Sequence, residues 1–286
     1  TTTNVAFNTL IVTMFRTLYQ FQQEDAMVQL PRLLNTLYDT CLASNNNDIF
    51  ISALHAIRHL ITIVLSEERL TKGLNDQTVH HIIGHVEGLQ QSKIILNSSS
   101  IINYIQQLFS LPNLQQDALI FLYDIIIASM THAKPEHFTN FSIILIVIDT
   151  YHNKANGNDY IQTACEKTIG QAIQRFGPEL VTSILPINFP TFPSPASDEG
   201  ANSIPSVAKQ LQSSRIWLLQ LMTQNVRHSR LEYFSKSLLT AANTVYELSV
   251  IAKKANRNDE SSILFNIVQY VWETLPAYCL LPSDTV

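Results

Sequence analysis

The chain has 286 residues, 46% of them hydrophobic and 14% charged, with a formal net charge of −5. The apolar fraction is ample for a core, and so mild an acidity names no nucleic-acid partner by itself. Only 7 glycines argue against a Rossmann sheet or a barrel rich in tight turns, whereas helical arrays need few.

From residue 5 to 176 the chain reads as one amphipathic helix after another. Phe7, Leu10, Ile11, Met14 and Leu18 form a first stripe at helical spacing. Val28, Leu30, Leu33, Leu34 and Leu37 form a second, with Pro31 expected to bend its start. A polar break at 44–48 precedes an apolar helix over 49–65. Further helices are predicted from Asp76, over 98–111, 115–130, 135–151 and 159–176, the last ending on Gly177-Pro178 as a glycine cap and a stop. Taken in pairs they repeat at roughly 40 residues, within the HEAT and armadillo range. The expected fold class is therefore all-α, a HEAT/armadillo-like α-solenoid of stacked antiparallel helix pairs, with a compact helical bundle as the alternative.

Pro190, Pro193, Pro195 and Pro205 interrupt this rhythm, so residues 189–207 are expected to form an exposed, mobile loop. The domain reading is helical repeats over 1–187, a Pro/Ser-rich loop over 188–208 and a C-terminal helical group over 209–286. Three helices are predicted in that group. Leu218, Leu219, Met222 and Val226 mark the first, capped by Ser213 or Ser214. Ser229 with Glu232 reads as a capping box for the second, whose stripe is Leu231, Phe234, Leu238, Ala242, Val245 and Ser249. The third is expected from Asp259 to Pro276, with Ile263, Leu264, Ile267, Val268, Val271 and Trp272 on one face. Trp217, Phe234 and Trp272 fall within apolar stripes and are expected in the core rather than as base-stacking platforms.

Candidate chemistry is sparse. His55 and His59 are four apart, as are His81 and His85 with Glu87 nearby, but no third ligand accompanies either pair, so no metal site is assigned. There is no Gly-x-Ser-x-Gly elbow and no phosphate-binding Gly-x-x-x-x-Gly-Lys loop. Asp124 and Asp149 are read as marking the solvent edge of their stripes. Cys41, Cys165 and Cys279 lie far apart, which fits buried thiols in a reduced compartment. No apolar run approaches the roughly 20 residues of a membrane span, and no signal peptide is visible at Thr1. Asn97 and Asn140 fit the glycosylation pattern and are read as unused. A chain that opens without Met reads as an excerpt of a longer protein.

Charge is unevenly placed. Residues 209–257 hold eight basic residues against two acids, a balance of +6, whereas residues 1–208 carry −7. Within the basic window, Arg227, His228 and Arg230 sit at a helix–helix turn where side chains project freely. Arg215 and Lys236 flank them, and the five together are the candidate RNA- or partner-binding residues. The bland alternative is a solvated helix face.

Several separated strings also occur in order: Gly177-Pro178-Glu179; Ile-Leu-Pro-Ile-Asn-Phe at 184–189; Ser-Arg-Ile-Trp-Leu-Leu-Gln-Leu-Met at 214–222; Arg-His-Ser-Arg-Leu-Glu-Tyr-Phe at 227–234; and Glu-Thr-Leu-Pro-Ala-Tyr-Cys-Leu-Leu-Pro at 273–282. From about residue 169 on, the chain thereby resembles the ribosomal RNA processing protein 12 family, large nucleolar HEAT-repeat proteins. Gln220 stands where that family tends to have Pro, and Thr223-Gln224 where it tends to have an Arg–acid pair. The resemblance implies a non-enzymatic scaffold in ribosome biogenesis, acting in pre-rRNA processing and in maturation and export of small-subunit precursors. Implied partners are pre-ribosomal small-subunit particle proteins, pre-rRNA and nuclear transport receptors, with no membrane, small-molecule substrate or cofactor. The implied location is the nucleolus and nucleus, with shuttling to the cytoplasm. A karyopherin-like nuclear transport adaptor is the alternative.

Overall fold

The computed structural model describes residues 2–43, 46–64, 123–124, 126–131, 133–155, 158–191, 207–280 and 282–284. Every regular element among them is helical. The chain divides into two compact units, Thr1–Thr168 and Ile169–Val286. The helices expected from Asp76 and over 98–111, the first part of 115–130, and residues 192–206 of the proline-rich stretch lie outside the described residues.

In the first unit, α1 (Thr2–Phe21), α2 (Gln23–Ala43) and α3 (Asn47–Val64) pack in all three pairings. Their core holds Ile11 and Phe15, then Leu30, Leu34 and Leu37, then Phe50, Leu54, Ile57 and Ile61. Asn8 is buried beside them and donates from Nδ2 to Ser52 Oγ at 3.2 Å. The first stripe is rotated from the sequence expectation: Phe7, Leu10 and Met14 are 52%, 54% and 63% exposed. In this helix the only charged residue is Arg16, so both faces are apolar and periodicity does not choose between them. Val28 is exposed too, and α2 starts at Gln23, which puts Pro31 inside the helix rather than at its start. α1 forms with α2 a mostly apolar groove of about 600 Å3, whose lining includes Ile11, Met14, Phe15, Leu18, Phe21 and Leu33.

Farther along, the 3-10 turn Pro135–His137 leads into α4 (Phe138–Lys154), which buries Phe141, Ile144, Leu145 and Ile148. α5 (Asp159–Phe176) follows, and the boundary between units falls within it. Cys165 on α5 is buried and donates its thiol to Tyr123 Oη at 3.3 Å. Burial pushes the Cys165 pKa up to about 11 and raises that of Tyr123 as well, because a thiolate or phenolate there would lose its hydration. Cys279, by contrast, is exposed, which corrects the expectation of a buried thiol there. Asp149 is also corrected. It is buried, not at the solvent edge, and accepts a hydrogen bond from Asn153 Nδ2 at 3.3 Å. Asp124 keeps a partly exposed place, 3.7 Å from Lys167 Nζ.

In the second unit, α5 ends at Gly177, whose amide donates to Ile173 O at 3.0 Å. Its backbone sits at φ 89° and ψ 154°, a region essentially reserved for glycine. Pro178 is not a stop: it opens α6 (Pro178–Ile184), since its missing N–H costs nothing at a first helical position. Residues 185–190 then form an irregular segment, with Asn188 in a left-handed conformation at φ 54°, and bury Leu185, Ile187 and Pro190. They are stitched to the residues before the next long helix. Arg215 N donates to Ile187 O at 2.7 Å, Asn188 Nδ2 to Ser213 O at 3.1 Å, and the Gln210 side chain bonds both polar backbone groups of Thr191. Pro190 therefore belongs to the packed unit rather than to an exposed loop.

α7 (Val207–Gln212), α8 (Trp217–Asn225), α9 (Leu231–Tyr233), a π turn Phe234–Leu238, α10 (Leu239–Lys254) and α11 (Asn258–Cys279) complete the unit. α11 packs against both α10 and α8. Phe234, Leu238, Ala242, Val245 and Ser249 are buried as the stripe requires, and so are Leu264, Ile267, Val268 and Val271. Ile263 and Trp272 depart from expectation at 44% and 49% exposed. Trp272 meets the buried Phe234 edge-on, with centroids 6.1 Å apart, and leaves its other side in solvent. α11 also runs past Pro276 to Cys279, because a proline in the last turn removes only one helical bond.

Replacing Gly177 by alanine puts a Cβ where the backbone disfavours one, with Glu179 Oε2 3.1 Å away. Gly177→Ala is expected to lower unfolding free energy by about 1–3 kcal/mol. Urea denaturation checks this, with the midpoint falling at an unchanged slope.

Candidate functional site

The turn between α8 and α9 begins where α8 runs out at Asn225 and Val226 swings to an extended conformation, burying its side chain. Arg227, His228 and Arg230 are exposed on this turn, while Ser229 points inward and is 4% exposed. His228 adopts φ 50°, a left-handed conformation that reverses the chain between two helices and that a non-glycine residue adopts at a cost. Three of the five candidate residues are thus collected on one projecting loop.

The other two are held differently. Lys236 lies on the π turn and its Nζ is 2.5 Å from Glu232 Oε1, an exposed pair worth little in stability. That contact holds the Glu232 carboxyl below its usual range. Arg215 is half-buried at the start of α8, where its Nη1 donates to Pro186 O at 3.1 Å. Its guanidinium fastens the irregular 185–190 segment rather than standing with the turn.

The capping box is replaced by something the local sequence does not announce. Ser229 Oγ donates to Glu179 Oε1 at 3.4 Å instead of accepting from the helix. The first free amides, of Leu231 and Glu232, donate to Asp284 Oδ1 and Oδ2 at 3.0 and 2.8 Å. Ser283 N adds a bond to Ser229 O at 3.1 Å, so the segment after α11 is strapped across the turn. The two amides hold the Asp284 carboxyl below the usual carboxylate range. A carboxylate at this end also suits the helix dipole. With Asp284 and Glu232 present, the turn is a mixed surface of two arginines, a histidine and two carboxylates, not a uniformly basic one. The sequence marks neither Asp284 nor Glu179 as a partner of this turn, since each lies some fifty residues from the group it bonds.

A second basic cluster, Lys253, Lys254 and Arg257, sits at the far end of α10. Arg257 is paired with Glu260, leaving Lys253 and Lys254 as exposed cations on the last turn, where they suit its carbonyl end. In the first unit, His55 is half-buried on α3 and His59 exposed. Burial first, and then the charges of Arg58 and His59, lower the His55 pKa. No group of three His, Cys, Asp or Glu among the described residues is placed to hold a metal ion. The pair His81 and His85, with Glu87, lies outside the described residues.

Residues 43–286 match the family described as ribosomal RNA-processing protein 12, HEAT repeats. Together with the all-helical described residues, this makes the fold class an all-α, HEAT-type solenoid. A Schizosaccharomyces pombe protein provisionally named ribosomal RNA-processing protein 12 is 25% identical over 159 residues, 56% of this chain and 12% of that one. The human RRP12-like protein is 26% identical over 121 residues, 42% of this chain and 8% of its own. Ribosomal RNA-processing protein 12 of Saccharomyces cerevisiae is 23% identical over 160 residues, 56% of this chain and 12% of its own. The chain thus spans about a tenth of the length of these relatives.

The Asp284 strap yields a pH prediction. A carboxyl whose pKa is depressed by folding stabilises the fold above its unfolded pKa and loses that contribution as pH falls through the folded one. Asp284→Asn is expected to speed hydrogen exchange at the Leu231 and Glu232 amides at neutral pH. Parent and variant should converge as the pH drops below the ordinary carboxylate range. Equal exchange at neutral pH would show that the strap does not hold the helix start.

Proposed function

The chain belongs to the ribosomal RNA-processing protein 12 HEAT-repeat family, and on that premise we propose that it is a non-enzymatic binding segment of a ribosome-biogenesis factor. It acts in pre-rRNA processing and in the maturation and export of small-subunit precursors. Its partners are proteins of the small-subunit particle and pre-rRNA, with nuclear transport receptors joining during export, and it works in the nucleolus and nucleus and shuttles to the cytoplasm.

The observation that carries this reading is the family match over residues 43–286, which takes in the whole of the second unit. Relatives named for ribosomal RNA processing support it. The exposed Arg227–His228–Arg230 turn supplies the RNA contact, with phosphates bound by projecting cations and affinity spread over several weak contacts. Arg215 contributes by holding the start of α8, and Lys236 by leaving Glu232 when phosphate competes for it.

The test is to tag the full-length protein in cells, separate extracts on a density gradient and sequence the crosslinked RNA. Co-migration with small-subunit precursors and crosslinks to pre-rRNA are expected. Arg227→Glu with Arg230→Glu should remove those crosslinks, and in binding assays each lost phosphate contact should lower the salt slope by about one. A protein that runs free of pre-ribosomes and recovers transport cargo without RNA would replace this reading with the adaptor one.

A further inference from the structure

At the opposite end of α10 from the Arg227–Arg230 turn, a groove of about 450 Å3 opens between α10 and α11. Tyr246 and Lys253 line it from α10, and Asn258, Ser262, Phe265 and Asn266 from α11. Tyr246 is 49% and Phe265 46% exposed, so each aromatic side chain is about half in solvent. Trp272, similarly exposed, follows Phe265 at seven residues on the same side of α11, about 10 Å farther along the helix. No carboxylate is among the described residues that line the groove. Glu260 is tied to Arg257, and the exposed Glu247 and Asp259 lie outside the lining.

The chemistry of this lining selects its occupant. A docked helix needs a predominantly apolar wall, as the Ile11, Met14, Phe15, Leu18, Phe21 and Leu33 side chains give the groove beside α1. Here the walls carry hydroxyls, carboxamides, an ammonium and two half-exposed aromatic rings, with Val250 as the one aliphatic side chain. An aromatic face with nearby amide donors and a cation fits a base and its phosphate, and the absence of a lining carboxylate fits a polyanion.

The geometry points to this groove as a single-stranded RNA site, in which bases stack on Tyr246 and Phe265 while Lys253 holds a phosphate. The inference rests on the RNA reading above and adds to it a second contact, which takes unpaired bases where the Arg227–Arg230 turn takes phosphate alone. Stacking is indifferent to sequence and needs an unpaired base, so the groove should prefer single strands to duplex.

The experiment uses the full chain with a fluorescent 12-nucleotide oligouridine and a duplex of equal length, titrated at several salt concentrations. Tyr246→Ala with Phe265→Ala is expected to lower single-strand affinity by about fivefold to a hundredfold for each stacked base lost, at unchanged salt slope and with the duplex unaffected. Tyr246→Phe with Phe265→Tyr keeps both rings and should bind as the parent does. Lys253→Ala should reduce the salt slope by about one, and it tests the groove even where the alanine pair folds poorly. Parent-like binding by both the alanine pair and Lys253→Ala overturns the inference. If Arg227→Glu with Arg230→Glu still abolishes binding in that case, the broader RNA reading stands and only the groove falls. A parent chain that binds neither RNA overturns both.

Discussion

The second unit depends on where Tyr278 is buried. Its ring is fully enclosed, 5.6 Å from Phe234 and 6.3 Å from Tyr233 between centroids, and its hydroxyl lies 3.9 Å from Met222 Sδ. Three stretches of chain therefore meet at one side chain: α8 through Met222, the α9–π junction through Tyr233 and Phe234, and α11 through Tyr278 itself. Tyr233 extends the contact, its hydroxyl lying 2.6 Å from Thr182 Oγ1 on α6. Burying an aromatic cluster of this size contributes several kcal/mol. The burial also raises the pKa of both phenols.

From that cluster the surrounding geometry follows. The π turn Phe234–Leu238 gives the helix an extra residue per turn just where Phe234 must turn inward. α11 has to run past Pro276 to deliver Tyr278, and only then does the chain bend at Leu280 and bring Asp284 to the start of α9. The Arg227–Arg230 turn is thus fixed from below by packing and from the side by a carboxylate. Its arginines stay exposed while Val226 and Ser229 are buried.

The two described grooves show how one helical architecture makes surfaces of opposite character. Beside α1 the lining is mostly apolar, aliphatic and phenylalanine side chains with Thr13, Thr17 and Gln29, and the helix is nearly uncharged, so that face has the chemistry of a helix-packing surface. Between α10 and α11 the lining is polar and aromatic with a lysine. The backbones are alike. What differs is which residues stand at the two or three positions per helix that core packing leaves over.

Much of this was legible in the sequence. Apolar residues at helical spacing, few glycines and a recurrence of helix pairs determined an all-α fold, because a one-sided helix has to bury that side against another. The stripe from Phe234 to Ser249 could be read directly, since polar residues on its other side leave a single choice of face. Ordered strings from Gly177 to Pro282 pointed to the family, and the expected helix boundaries put Arg227, His228 and Arg230 of the basic window on a turn. Tertiary structure decided what local pattern leaves open. Both sides of α1 are apolar, so only its neighbours settled that Ile11 and Phe15 go inside and Met14 stays out. Asp284 replaced Ser229 as the cap, and Arg215 was drawn to Pro186, because those partners are tens of residues away and become neighbours only once α6, α8 and α11 have packed. Trp272 and Phe265 became surface rings for the same reason. A helix sees its own periodicity, but the edge of a buried stripe is set by how closely the next helix approaches.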